Sequence, residues 1–377
     1  MTYKFPHVML SIAKITDGVF FLKQNKSIHP LSTSNGFLIT PSQIPSNSIT
    51  KEAGSVLIDV NLEEDGWLAI KKFCEEQRIP LPSRLIMTHC HLDHSSHVHL
   101  FVKLFDGVVY APEPEVKVIL EHDGFFHVYQ ITEMMEFPTL MDSYRHLKYE
   151  ILKFNIISEE KVTTFKPGEV FDFKTIRIQT IPLTAHSPGH VGVKLILQKE
   201  ASKIFHNSCL GLDHLKVNKD GTIKDGFGPW YGFKHTNIAD YIEDINKSEV
   251  IFKDCQILTS SHGIIFTNKK NPIEIVQGER LFIKKLTPRE KIESPSEYMK
   301  RKIHEKEQCI KNSLDKIGIN KNNVQAVLNS TELMGKLLDM DLYFSKKRIP
   351  PRQLPAYKFW ERYLIINQLK HILAKLI

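Results

Sequence analysis

The chain is 377 residues long, 42 % apolar, and carries a formal net charge of +7. That length suggests two domains, and no run of about 18 apolar residues offers a membrane span. Residues 1–7 lack a charged segment followed by a long apolar one, so no secretory signal is expected. The five Cys are scattered without a Cys-x-x-Cys pair, which fits a reduced, cytoplasmic protein better than a disulfide framework.

Charge is unevenly spread. Residues 275–377 hold 21 Lys+Arg against 11 Asp+Glu, an excess of +10, whereas the rest holds 29 against 32. A mildly acidic body therefore carries a basic C-terminal part. Such an excess marks either an anionic partner such as RNA or an ordinary solvated Lys-rich helical surface.

In chain order, residues 15–22 read as a hairpin turning at Asp17-Gly18, and 35–39 and 55–59 as two further strands. Residues 67–77 have helical spacing. An apolar strand, 84–87, then runs into Thr88-His89-Cys90-His91-Leu92-Asp93-His94, with a helix at 98–105 behind it. Alternate side chains of an extended segment share a face, so His89 and His91 can meet at one spot and Cys90 points away. Three imidazoles and a carboxylate in six residues suit zinc or iron, not Ca²⁺ or Mg²⁺.

A short strand at 108–110 is followed by a mostly helical stretch at 115–155, read as an insertion with interleaved aromatics. Strand residues Ile176, Ile178 and Ile181 lead to Thr184-Ala185-His186-Ser187-Pro188-Gly189-His190. The loop 226–232, Gly-Phe-Gly-Pro-Trp-Tyr-Gly, is a candidate wall for a pocket. A helix at 237–246 precedes Leu258-Thr259-Ser260-Ser261-His262-Gly263. The composition shifts after Asn271-Pro272 to Lys/Glu-rich helices, the last spanning 357–377. The chain is accordingly divided at 274/275.

His-x-His-x-Asp-His after a strand resembles the signature of the metallo-β-lactamase fold superfamily, and the two later His loops resemble its remaining ligand loops. The resemblance implies an α/β fold, a four-layer αββα sandwich with the metal at one edge. It implies one metal set of His89, His91 and His186 and a second of Asp93, His94 and His262. Asp59 and His190 would support them from behind, and Asp93 would orient the attacking water and pass on its proton. The Glu307-Gln308-Cys309-Ile310 helix and the ending 371–376 resemble the winged-helix-like tail of the lactamase-like endoribonuclease branch.

One departure stands out. The family expects Gly-Asp, with a carboxylate bridging both metals, where residues 203–211 align Asn207-Ser208. Without that charge two cations repel each other, so the expectation is one firmly held zinc and a weaker second site. Asp213 is then the first candidate for a substitute bridge and Cys209 the second. A carboxylate introduced as Ser208→Asp should raise metal occupancy. The chemistry implied is hydrolysis by a zinc-bound hydroxide of a small ester, thioester, lactone or phosphodiester. The alternatives are an RNA-cleaving nuclease that uses the basic C-terminal part, a degenerate member that binds without turnover, and, less favoured, an iron enzyme.

Overall fold

The computed structural model describes residues 10–25, 33–40, 54–131, 155–173, 176–197, 203–212, 216–217, 223–225, 228–263, 265–268, 273–277, 283–285, 294–318, 323–343 and 354–375. Asp213 and most of the expected insertion, 132–154, lie outside these residues.

Two mixed sheets form the centre. The first contains β1 (Leu10–Thr16), β2 (Val19–Gln24), β3 (Gly36–Ile39), β4 (Ser55–Ile58), β5 (Pro82–Ile86), β6 (Val108–Pro112) and β7 (Val162–Phe165) in sequence order. The second runs outward from β8 (Val170–Phe173) through β9 (Ile176–Pro182), β10 (Val191–Leu197) and β11 (Lys203–His206). A two-stranded ribbon follows, β12 (Lys216–Val217) with β13 (Ile223–Asp225). The chain then adds β14 (Ile257–Thr259) parallel to β11, and β15 (Ile265–Thr267) beside it. Finally β16 (Glu274–Gln277) pairs with β1, and β17 (Ile283–Lys285) with β15. Strands therefore continue both sheets past residue 275, where composition alone divides the chain.

Side-chain alternation explains the layering. On β4, Val56 and Ile58 enter the cluster between the sheets, where they meet Val191, Val193, Ile204 and Ile257 of the second sheet. Leu57 points the other way, to the outer cluster of helix α1 (Glu64–Glu76) and, beyond α2 (Leu92–Ser95), of α3 (Val98–Phe105). Trp67, Ile70, Phe73 and Cys74 of α1 recur at helical spacing and are all buried. Cys90 joins this outer cluster, turned away from its His neighbours as strand alternation requires.

Past β6, a 3₁₀ turn at Glu113–Glu115 and the short helices α4 (Lys117–Leu120) and α5 (Gly124–Val128) open the expected insertion. The outer face of the second sheet is covered by α6 (Ile238–Lys253) and by α7 (Pro295–Ile317), α8 (Val324–Leu328), α9 (Thr331–Asp339) and α10 (Leu354–Ala374). Phe205, Leu258, Tyr241, Tyr298, Ile310, Leu337 and Leu364 share one hydrophobic cluster, so the C-terminal helices complete the core of the sandwich. Local signals set their ends: Ser294 and Glu297 form a capping box at the start of α7, and Gly318 closes it at φ +70°. Among the described residues after 294 there are helices and no strands.

Candidate metal centre

The parallel pairs β4/β5 and β11/β14 end at one edge of the sandwich, and each strand hands over a loop there. Asp59 follows β4, residues 88–94 follow β5, 207–209 follow β11, and 260–262 follow β14. The turn between β9 and β10 adds His186 and His190. Loops at strand C-termini are where a rigid sheet can aim several side chains at one point.

The structure brings His89, His91, Asp93, His94, His186 and His262 together. The His89 ring centroid lies 4.5 Å from that of His91 and 4.9 Å from that of His186, and His91 and His186 are 4.6 Å apart. Ring centroids of His94 and His262 are 5.5 Å apart. Asp93 Oδ2 is 2.8 Å from His262 Nε2 and 3.6 Å from His94 Nε2.

The thiol of Cys209 occupies the junction. Its Sγ lies 3.1 Å from His94 Nε2. Ligand atoms of Asp93, His94, Cys209 and His262 all fall within 4.8 Å of one another, and so do those of His89, His186 and Cys209. Ser208 does not take that place. Its hydroxyl is 2.7 Å from Thr88 Oγ1 and 3.2 Å from Ser261 Oγ, and it donates to Asp59 Oδ2 at 3.4 Å. The expectation that position 208 faces the metals is therefore corrected. Ser208 is at φ +53°, and the turn delivers the next side chain to the ligand cluster instead.

Behind the ligands stands Asp59, buried at the end of β4 and itself at φ +57°. Its Oδ1 accepts the His94 Nδ1–H at 2.7 Å and the Thr88 hydroxyl, and its Oδ2 accepts from His206 Nε2 at 3.0 Å and from Ser261 Oγ. Burial pushes this carboxyl up, but the two imidazoles beside it outweigh burial and hold it well below the usual carboxylate range. Because the Nδ1–H of His94 is given to Asp59, its Nε2 lone pair faces the cluster, the arrangement that orients metal-binding imidazoles. The carbonyl of Trp230 does the same for His186, taking its Nδ1–H at 3.3 Å. That contact places residues 228–232 of the candidate wall against the site; 226–227 lie outside the described residues. His190 gives its Nδ1–H to the Leu183 carbonyl at 2.8 Å and packs its ring 4.9 Å from His89.

These residues fit a transition metal. Nε2 of His91 and Nε2 of His186 are buried without a hydrogen-bond partner, which is rare for polar atoms unless a ligand completes them. Burial and the neighbouring imidazoles hold His89, His91 and His186 well below the usual His range, in the neutral form that can donate a lone pair. Imidazole, carboxylate and thiolate together match zinc chemistry.

Several site residues carry no sequence signal of their own. His206 and Glu115 reach the site only through the fold. The aromatic wall beside His91 is likewise assembled from distant segments. Phe233 lies 4.7 Å from His91, stacks on Tyr129 at 4.7 Å, and touches Trp360 of α10 at 5.1 Å. His235 lies nearly parallel to Phe233, with both ring nitrogens buried and unpartnered. Burial pushes it down to about 4. Asn367 of α10 holds this segment, donating to the carbonyls of Tyr231 and Phe233 at 2.6 and 3.0 Å.

Residues 39–199 match the model of the Metallo-beta-lactamase superfamily. Among solved structures, the native FEZ-1 metallo-beta-lactamase from Legionella gormanii is 16 % identical, with 69 % of this chain and 82 % of that one covered at a TM-score of 0.43. The metallo-beta-lactamase FIM-1 from Pseudomonas aeruginosa, in its mono-zinc form, is 14 % identical, covering 70 % and 91 % at 0.42. An archaeal metallo-beta-lactamase superfamily protein from Sulfolobus tokodaii is 13 % identical, covering 66 % and 86 % at 0.40. No curated protein matches the chain.

Proposed function

We propose that this chain, whose residues 39–199 belong to the metallo-beta-lactamase superfamily, is a zinc-dependent hydrolase of a small ester, thioester or lactone. The observation that carries the reading is the shared thiol. Cys209 belongs both to the set with Asp93, His94 and His262 and to the set with His89 and His186. His91 completes the latter set with a buried, unpartnered Nε2.

Zinc bound there would polarise the attacked carbonyl and lower the pKa of a water from about 15.7 to about 7. The protein supplies the rest. Burial pushes the Asp93 carboxyl up, yet His94 and His262 hold it below the usual carboxylate range, so Oδ2 is ionised at neutral pH. It can accept the proton of the attacking water and return it to the leaving oxygen or sulfur. The Phe233, Tyr129 and Trp360 rings exclude solvent on the His91 side. His235, neutral at pH 7, offers the substrate one N–H donor and one lone pair.

A small substrate is favoured over RNA because four of the six Lys and Arg of α7 are matched locally. Arg301 and Lys302 pair with Glu305, Lys311 with Glu307, and Lys300 with Glu249 of α6. The test is a panel of chromogenic esters, thioesters, lactones and phosphodiesters run with zinc content measured on the same sample. Turnover of the acyl substrates that is lost with chelator and restored by zinc supports the reading. Cleavage of the phosphodiester alone would transfer it to the nuclease alternative.

A further inference from the structure

Glu115, on the 3₁₀ turn after β6, is fully buried, and its two oxygens are divided between the two principal ligand loops. Oε2 accepts the Cys90 N–H at 2.6 Å and the Tyr129 hydroxyl at 2.8 Å. Oε1 accepts the Gly189 N–H at 2.7 Å and the Ser187 hydroxyl. Cys90 lies between His89 and His91, and Ser187 and Gly189 lie between His186 and His190. One carboxylate thus ties together the backbones that carry four imidazoles.

The surroundings are shaped for this contact. A Cβ on Gly189 would meet Pro112 Cβ at 2.7 Å and Glu115 Cγ at 3.1 Å, so only glycine lets that amide approach. Tyr129, held by Oε2, sets its ring centroid 4.9 Å from that of His91. All four partners are donors, and an ionised carboxylate is the side chain that offers acceptors alone. A carboxamide of the same shape must turn its NH₂ toward one amide N–H or the other, whichever way it flips.

We propose that Glu115 is a positioning residue that fixes the spacing between the His89/His91 loop and the His186 loop, and through it the affinity and geometry of the bound metal. This rests on the metallohydrolase reading above.

The test uses the full chain and its Glu115→Gln variant. Zinc affinity is measured by chelator competition, ligand geometry by the absorption spectrum of the Co²⁺-loaded protein, and folding by melting of the metal-free form. Outer partners of metal ligands typically contribute about 10–100-fold to affinity. The expected result is a loss of that size in E115Q with a changed Co²⁺ spectrum. If E115Q melts lower but folds and binds zinc like the wild type, with an unchanged spectrum, Glu115 serves packing alone and the proposal is overturned. Should E115Q fail to fold, the double variant Tyr129→Phe, Ser187→Ala keeps the charge and both amide contacts. Weaker zinc affinity there supports the proposal and unchanged affinity overturns it. A wild type that binds no zinc is a different failure, overturning the metallohydrolase reading and this inference with it.

Discussion

Cys209 Sγ lies 3.1 Å from His94 Nε2, with Asp93 and His262 grouped around the same point. A thiol there becomes an anionic ligand when a metal binds, so it offsets the charge that the absence of a bridging aspartate at position 208 leaves uncompensated. Cys209→Ser should therefore weaken zinc at this set by about tenfold or more, at least the scale on which outer partners act. Co²⁺ substitution checks it directly. The wild type should show a thiolate charge-transfer band that the variant lacks, and its absence from the wild type would remove Cys209 from the ligands.

Ser208→Asp should not raise metal occupancy, contrary to what alignment alone suggests. The Ser208 hydroxyl is 3.4 Å from Asp59 Oδ2, so an added carboxylate would face an existing buried one. Unpaired buried charge is destabilising. The metal-free variant should melt below the wild type at pH 7, with metal per chain unchanged by elemental analysis. A gain of one metal would return the bridging role to position 208.

His186→Ala should lower both zinc content and the melting temperature of the zinc-loaded protein, with a smaller effect on the metal-free form. A bound ligand stabilises the state that binds it, and His186 Nε2 is directed into the cluster. Equal melting shifts in the loaded and metal-free proteins would show that His186 contributes packing rather than metal binding.

Asp244 of α6 accepts the Ala185 N–H at 2.9 Å, next to His186, and burial pushes its carboxyl up to about 6. Its ordinary value is 3.8. Between these values the folded state holds the proton more tightly than the unfolded state does. Its contribution to stability is therefore full below about pH 4 and is lost as pH rises through 6. Asp244→Asn keeps an acceptor for Ala185 without the titration. Its melting temperature relative to wild type should rise across pH 4 to 6, and a difference that is flat with pH would refute the assignment.

Asn367→Ala removes the donor shared by the Tyr231 and Phe233 carbonyls. The Thr236 hydroxyl still reaches both carbonyls, at 2.7 and 2.6 Å, so the cost is that of an ordinary hydrogen bond, about 0.5–1.5 kcal/mol. Because the freed segment carries Phe233 and His235, KM on the best acyl substrate should rise with zinc content unchanged. Urea melts with parallel steady-state kinetics measure both, and an unchanged KM would place this segment outside the substrate pocket.

The sequence by itself marked the candidate ligand residues. Thr88 to His94 has period-two spacing at a strand end, which lets His89 and His91 share a face, and the loops at His186 and His262 were marked as candidate ligands by their resemblance to the family's ligand loops. The strands read at 35–39 and 55–59 and the helix at 98–105 were legible because their hydrophobic period is a property of neighbouring residues. What only the tertiary structure decided are relations across long separations. Whether Ser208 or Cys209 faces the metals depends on a left-handed turn and on Asp59, about 150 positions earlier. The division of Glu115 between two loops, and the hold of Asn367 on the wall beside His91, each join segments whose separation carries no pattern. Such contacts are fixed by how the two sheets and the C-terminal helices pack, and packing is a property of the whole chain.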